Sequence, residues 1–207
     1  MTVPFGRVSG WIRRYDAAHP GTTWTVSADS VAAASPDGTT IAFAVPMGPL
    51  EERSVAGLVS HLAAPWQVGV VLVRRGGFAV ARVVGPDLVT DKVGKRHVQG
   101  KTKAGGWSQH RFANRRDNQA RAAFDAAAGH VERILLPDAK AIDLLALGGD
   151  RRALAAVLAH RTLAALAARP QRWLGGVPDP SRAVLLQAIE RARSVEITIT
   201  DPRPLDG

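Results

Sequence analysis

The stretch Lys92–Arg121, KVGKRHVQGKTKAGGWSQHRFANRRDNQAR, decides how the rest of the chain reads. It carries Lys92, Lys95, Arg96, Lys101, Lys103, Arg111, Arg115, Arg116 and Arg121 against one carboxylate, Asp117. The formal net charge of the chain is +9, so most of the excess positive charge is packed into this segment. The first half, to Gly106, is rich in Gly and Lys and has no hydrophobic period, which predicts a long exposed loop. Nothing in it forms a core and its lysines repel one another, so residues 94–106 are expected to be mobile without a partner. From about Gln109 the sequence turns Ala-rich and predicts a helix to about Leu135. Phe112, Ala120, Ala123, Phe124, Ala127, Val131 and Ile134 share one face of it. A charge run alone is ordinarily a solvated face. Here the charge is one-sided, broken by glycines, and ends on Gly105-Gly106-Trp107-Ser108-Gln109. A basic loop feeding a basic helix is the footprint of a polyanion-binding surface, and nucleic acid is the partner it suits.

Upstream, Gln67–Val73 is a continuous apolar run, as in a strand buried on both faces. Arg75-Gly76-Gly77 predicts a turn, Phe78–Val84 an antiparallel return, and Pro86–Val93 a third strand. This meander delivers the chain to the basic loop, so a rigid sheet presents a segment suited to function. Further back, residues 1–48 read as short strands. Gly6–Tyr15 alternates loosely, Thr22–Val26 is β-branched or aromatic, and Asp37-Gly38 predicts a hairpin leading into Thr39–Val45. They form either a small β subdomain or extra strands on the main sheet. Trp11 and Trp24 read as core residues and not as base-stacking platforms. Pro49 opens a predicted helix with Glu51 and Glu52 at its positive end and Val55, Leu58, Val59 and Leu62 as its apolar stripe; Pro65 stops it.

Downstream, Ala141–Leu147 predicts a buried strand and Gly148-Gly149-Asp150 a strand-to-helix turn capped by Asp150. A helix is expected over Arg151–Ala168, a short strand and turn at Trp173–Gly176, and an amphipathic helix over Pro180–Arg193 with Val184, Leu185 and Ile189 inward. A last edge strand is expected over Val195–Thr200. Strands alternating with helices after an antiparallel meander give an α/β fold with a mixed sheet.

At 207 residues the chain has room for one substantial core, or one domain with a small appendage. Without cysteine there is no disulfide framework, thiolate nucleophile or Cys-ligated zinc. No signal peptide is recognised at the start, and no apolar run reaches the roughly 18 residues of a membrane span. A soluble, cytoplasmic protein is expected. His19, His61, His97, His110, His130 and His160 show no paired ligand spacing, the basic segment has no carboxylate cluster for two metals, and no Gly-x-Ser-x-Gly elbow activates Ser108. No metal and no cofactor are expected.

Gly105-Gly106-Trp107-Ser108-Gln109-His110-Arg111-Phe112-Ala113 resembles the catalytic loop of archaeal and eukaryotic peptide-chain release factors. There Gly-Gly-Gln-Ser is followed, two residues on, by Arg-Phe-Ala and a further Arg. Ser108, Arg111, Phe112 and Ala113 fall in that register. Trp107 stands in the place of the family's glutamine, and Gln109 supplies one two residues later. A displaced glutamine in a longer basic loop is similar to the Vms-like release-factor (VLRF) family, whose members act on peptidyl-tRNA left in stalled large ribosomal subunits. The resemblance spans about Trp66–Arg193 in its order of elements, and its specific part is about ten residues long.

The resemblance implies a mixed β-sheet flanked by helices, like the catalytic middle domain of those release factors. That domain would occupy residues 64–207, with the Gly-Gly-x-x-Gln loop at 94–109, behind an N-terminal β-rich lead-in and helix at 1–63. It implies peptidyl-tRNA hydrolysis in ribosome rescue, with Gln109, Gly105, Gly106 and Ser108 at the catalytic tip. Lys95, Arg96, Lys101, Lys103, Trp107, His110, Arg111, Arg115 and Arg116 would hold RNA. The implied partners are the large ribosomal subunit, peptidyl-tRNA and rRNA, with no DNA and no membrane, and the chain is expected to be a monomer. Stop-codon recognition is not expected, because separate codon-reading and partner-binding domains have no room.

The residues fit such chemistry. A glutamine amide both donates and accepts hydrogen bonds, so it orients a water without titrating. Gly105 and Gly106 free the backbone for a narrow RNA-walled site. Trp107 either stacks on RNA or packs down as a loop anchor. Two other readings stay open: phosphodiester cleavage in the tRNA acceptor end with a 2′-hydroxyl as nucleophile, and a non-enzymatic ribosome- or RNA-binding domain.

Overall fold

The computed structural model describes residues 1–74, 77–95 and 124–202, with only the backbone of Lys95. The chain divides into two compact units, residues 1–65 with 193–207, and residues 66–192.

The first unit opens with β1 (Thr2–Pro4), a 3-10 turn (Phe5–Arg7) and α1 (Val8–Ala18). Gly6–Tyr15 is therefore not a strand. Val8, Trp11, Ile12 and Tyr15 are the buried residues of α1, and their spacing of three, one and three is one face of a helix. Trp11 stacks on Tyr15 with ring centroids 5.6 Å apart, and Trp24 meets both edge-on, its indole N–H donating to Asp16. Trp11 is buried as expected; Trp24 is half-buried.

Strands β2 (Thr23–Val26), β3 (Ser30–Ala34) and β4 (Thr40–Ala44) form an antiparallel meander. Val31 and Ala33 of β3 and Ile41 and Phe43 of β4 are buried in strict alternation, so one face is core and the other is exposed. The β3–β4 turn is set by Asp37-Gly38. Gly38 has φ +87°, and the Asp37 carboxylate accepts the Thr39 amide N–H. That bond first, and the His19 ring 2.7 Å away second, pull Asp37 from the ordinary 3.8 down to about 2. The sign follows: the contribution of Asp37 to stability is complete above pH 3.8 and is lost as pH falls toward 2. Urea midpoints measured across that window should fall in the parent, and the drop should be smaller in Asp37→Asn.

Helix α2 (Val55–Ala63) starts six residues later than Pro49. Ser54 is the N-cap and its hydroxyl accepts the Gly57 N–H, the bond that defines the start. His61 is used structurally, its Nε2 lying 2.8 Å from the Pro46 carbonyl oxygen.

The expected last strand is two strands. β10 (Ser194–Glu196) pairs antiparallel with β1, and β11 (Thr198–Thr200) with β4, parted by the buried Ile197. The N-terminal strands thus have their own four-stranded sheet, ordered β11-β4-β3-β2, and residues 193–202 belong with them. That departs from a single 64–207 domain.

The second unit is built on a five-stranded mixed sheet, ordered β7-β6-β5-β8-β9. β5 (Gln67–Arg74), β6 (Gly77–Val84) and β7 (Asp87–Lys95) run antiparallel, with a register shift at Arg82/Val83. β8 (Leu144–Gly149) and β9 (Gln171–Leu174) continue parallel to β5. Val68–Val73 is buried throughout, so β5 is covered on both faces. On one face, Val71 and Val73 pack with Val131 and Leu135 of α3 (residues 124–135) and with Leu154 and Val157 of α4 (Arg151–Leu158). α6 (Arg182–Ala192) packs on β5, β6, β8 and β9 through Leu185, Ala188 and Ala192.

The helix expected over 151–168 breaks into α4, a 3-10 turn (Arg161–Leu163) and α5 (Ala164–Ala167). The cause is geometric. At about 100° per residue, Leu163 and Leu166 of a straight helix would face opposite to Leu154 and Val157. Breaking the helix buries all four.

Candidate functional site

Strand β7 ends at Lys95, paired with Gly77 of β6, and the chain returns to described structure at Phe124 in α3. The basic stretch therefore springs from the sheet end formed by the close of β5, the start of β6 and the close of β7. Of the predicted site residues, Lys95 holds the last position of β7. Arg96, Lys101, Lys103, Gly105, Gly106, Trp107, Ser108, Gln109, His110, Arg111, Arg115 and Arg116 lie outside the described residues. Of the loop expected over 94–106, Gly94 and Lys95 are instead the last residues of β7, and 96–106 lie outside the described residues, as do the first part of the predicted helix and Arg75-Gly76 of the predicted turn.

The sheet end is braced from both sides. Gly149 closes β8 at φ +108°, letting the chain turn so that the Asp150 N–H bonds the Val73 carbonyl at 2.8 Å. Asp150 then caps α4, its Oδ1 accepting from the amides of Arg152 and Ala153 at 2.8 and 3.1 Å. The expected structural role of Gly148-Gly149-Asp150 is what the geometry displays. Arg74, the last residue of β5, donates to the Val177 carbonyl at 2.8 Å and pairs with Asp179 at 3.4 Å. Arg182 of α6 ties down β7 through Asp91 at 2.5 Å.

A pocket of about 280 Å³ lies at this end, between β5, β6, β7 and α3. Val73, Phe124 and Ala127 give it apolar walls. Phe78 stacks on His130 with centroids 5.0 Å apart and an interplanar angle of 28°. Phe78 is the cross-strand partner of Gly94, and a Cβ at Gly94 would stand 2.3 Å from the Phe78 ring. Glycine there gives the aromatic ring room to lie across the strand. The exposed Lys92 lines the same pocket, and Arg133 of α3 donates to His130 Nδ1 at 2.9 Å. Burial first, then the Arg133 and Lys92 charges, hold His130 below the ordinary imidazole value of 6.5. Its ring is thus kept neutral at pH 7 and able to accept that hydrogen bond.

The sequence patterns do not single out these residues. His130 is one of several histidines without paired spacing, and Phe78 and Gly94 belong to no motif. Counting pairs outward from the β6–β7 turn would set Val93 opposite Phe78; the register shift at Arg82/Val83 moves the partner to Gly94, so no signal in the sequence finds the pair. Among the described residues, no group of three or more His, Asp or Glu side chains could hold a metal ion. None of the described helices is long and apolar enough to cross a membrane.

No curated protein matches the chain. A crystal structure of the archaeal translation termination factor aRF1 is similar to it at 11% sequence identity, with a TM-score of 0.34. The similarity covers 76% of this chain and 49% of that one, so the chain spans about half the length of that protein. The family model of the actinobacterial and chloroflexi VLRF1 release factors matches residues 66–198, more than half of the chain. That match takes in the whole five-stranded sheet and all of residues 92–121. The chain belongs to the VLRF1 release-factor family of Actinobacteria and Chloroflexi, and its role is release-factor-like.

Proposed function

We propose that this protein is a cytoplasmic peptidyl-tRNA hydrolase that frees nascent peptide from stalled large ribosomal subunits. One observation carries the reading. Within the family match, Gly105-Gly106-Trp107-Ser108-Gln109 is followed by Arg111-Phe112-Ala113, in a segment whose only carboxylate is Asp117. Gln109 orients a water against the ester carbonyl carbon. The water oxygen adds to that carbon, the carbonyl oxygen takes up negative charge, and the bond to the ribose oxygen breaks. The products are a peptide carboxylate and a tRNA with its hydroxyl restored. N–H groups at Gly105, Gly106 and Ser108 answer the transient oxyanion, where preorganised donors lower the barrier most. Lys95, Arg96, Lys101, Lys103, Arg111, Arg115 and Arg116 neutralise RNA phosphates, with Trp107 and His110 against the RNA. Neither metal nor cofactor enters this scheme, and a monomer suffices for it.

The test incubates the protein with stalled large subunits carrying peptidyl-tRNA and identifies the released species. Hydrolysis leaves an intact tRNA end; cleavage of the acceptor strand leaves a shortened one; a docking domain releases nothing.

Electrostatics supplies a second expectation. Reversing charge at Lys101 and Lys103 together should weaken ribosome or tRNA binding. It should also flatten the salt dependence by about one unit of log–log slope for each phosphate no longer neutralised. Reversal at Arg115 and Arg116 should do the same. Affinity measured from about 50 to 200 mM salt checks this. Unchanged binding would make the segment a solvated face.

A further inference from the structure

Resting on the reading of this chain as an RNA-directed release factor, we propose that the pocket between β5, β6, β7 and α3 takes one nucleotide of single-stranded RNA. The base would sit against the Phe78–His130 pair and the phosphate beside Lys92. Three observations converge on that ligand. The first is size: about 280 Å³ is near the lower end of ligand pockets, about 300 Å³, and suits one nucleotide unit better than a duplex or a helical peptide. The second is shape: two aromatic rings held nearly parallel, among apolar walls, offer the surface on which any base stacks.

The third is charge. Lys92 and Arg133 place two positive charges beside His130, and two acids at this end are committed elsewhere, Asp91 to Arg182 and Asp179 to Arg74. None of the ion pairs among the described residues involves Lys92 or Arg133. A phosphate would answer these two charges. The pocket also adjoins the strand end from which the basic stretch departs.

The test is fluorescence anisotropy of the full chain with labelled RNA of roughly ten nucleotides. One strand ends in CCA like a tRNA acceptor, one has an unrelated rRNA-like sequence, and a third is a blunt duplex; AMP serves as unlabelled competitor. Three variants are compared with the parent: Lys92→Gln, His130→Ala, and Ala126→Trp. Ala126 lines the pocket but is exposed, so a tryptophan there fills the space without entering the core. Circular dichroism confirms that each variant is folded.

Each variant should weaken single-strand binding about tenfold and duplex binding less than about twofold, as loss of one stacked base predicts. A preference for the CCA strand assigns the nucleotide to tRNA; equal affinity assigns it to rRNA-like single strand. Equal losses on single strand and duplex, or no loss in Ala126→Trp, would overturn the proposal. So would AMP competing as tightly as the strand, which would make the ligand a free nucleotide. None of these readouts involves ester cleavage. Intact peptide release with an unresponsive pocket would remove only the pocket, and a responsive pocket without release would remove only the hydrolase reading.

Discussion

Replacing Gln109 by alanine is expected to lower single-turnover peptide release by about 10²–10³-fold while leaving ribosome binding within a few-fold. The split follows from what the side chain does. Its amide orients a water and meets charge that develops only in the transition state, so its loss raises the barrier and barely touches the ground-state complex. Trp107 occupies the position that holds glutamine in the related release factors, and an indole has no acceptor with which to orient water. Gln109, two residues on, can reach the ester if Trp107 and Ser108 belong to the tip. Gly106→Ala should also impair release, because a Cβ restricts the backbone where N–H groups must turn inward. Trp107→Ala should cost less, and mainly in binding. Near-full release by Gln109→Ala would shift the role to the backbone amides of the tip or to His110.

The other large effect is on stability. Gly149→Ala is expected to destabilise the protein by about 3 kcal/mol, lowering the melting temperature by about 10 °C. Two costs fall on one atom. At φ +108° an L side chain is strained, and a Cβ there would stand 2.2 Å from the Val73 carbonyl oxygen. That oxygen cannot yield easily, because it accepts the Asp150 N–H and β5 is paired on both sides. Asp150→Ala, which removes only the cap, should cost about 1 kcal/mol. Thermal unfolding followed by circular dichroism ranks the two. A Gly149→Ala protein melting within about 2 °C of the parent would mean that the turn relaxes without cost.

What can be read from sequence depends on how local the deciding interaction is. The β5–β6–β7 meander and the Asp150 cap are written in neighbouring residues, and both are present in the structure. α1 is equally local, but a strand over Gly6–Tyr15 assumes the wrong period: Val8, Trp11, Ile12 and Tyr15 fit one helical face and not alternation. The break between α4 and α5 is legible in the same way, from the half-turn offset between Leu154–Val157 and Leu163–Leu166. The division of the last strand at Ile197 is not, since its two halves answer to β1 and β4, more than 150 positions away. The pocket between β5, β6, β7 and α3 shows the same limit. Phe78 and Gly94 are linked through strand register, but His130 joins them only through the packing of α3 on the sheet. For Gly105, Gly106 and Gln109 the sequence motif, and not geometry, carries the assignment.

The pairing of β1 with β10 and of β4 with β11 has a consequence for the order in which the chain can mature. Residues 66–192 are contiguous, so their sheet can close while translation is still under way. The first unit begins earlier yet must wait, because two of its strands follow residue 192. Until residues 194–200 emerge, β1 and one side of β4 are open edges, the kind of surface that invites pairing with another chain. A nascent chain stalled before that point would carry a finished second unit and an unfinished first one. A stall that holds back residues 194–200 would thus leave this chain with two exposed strand edges.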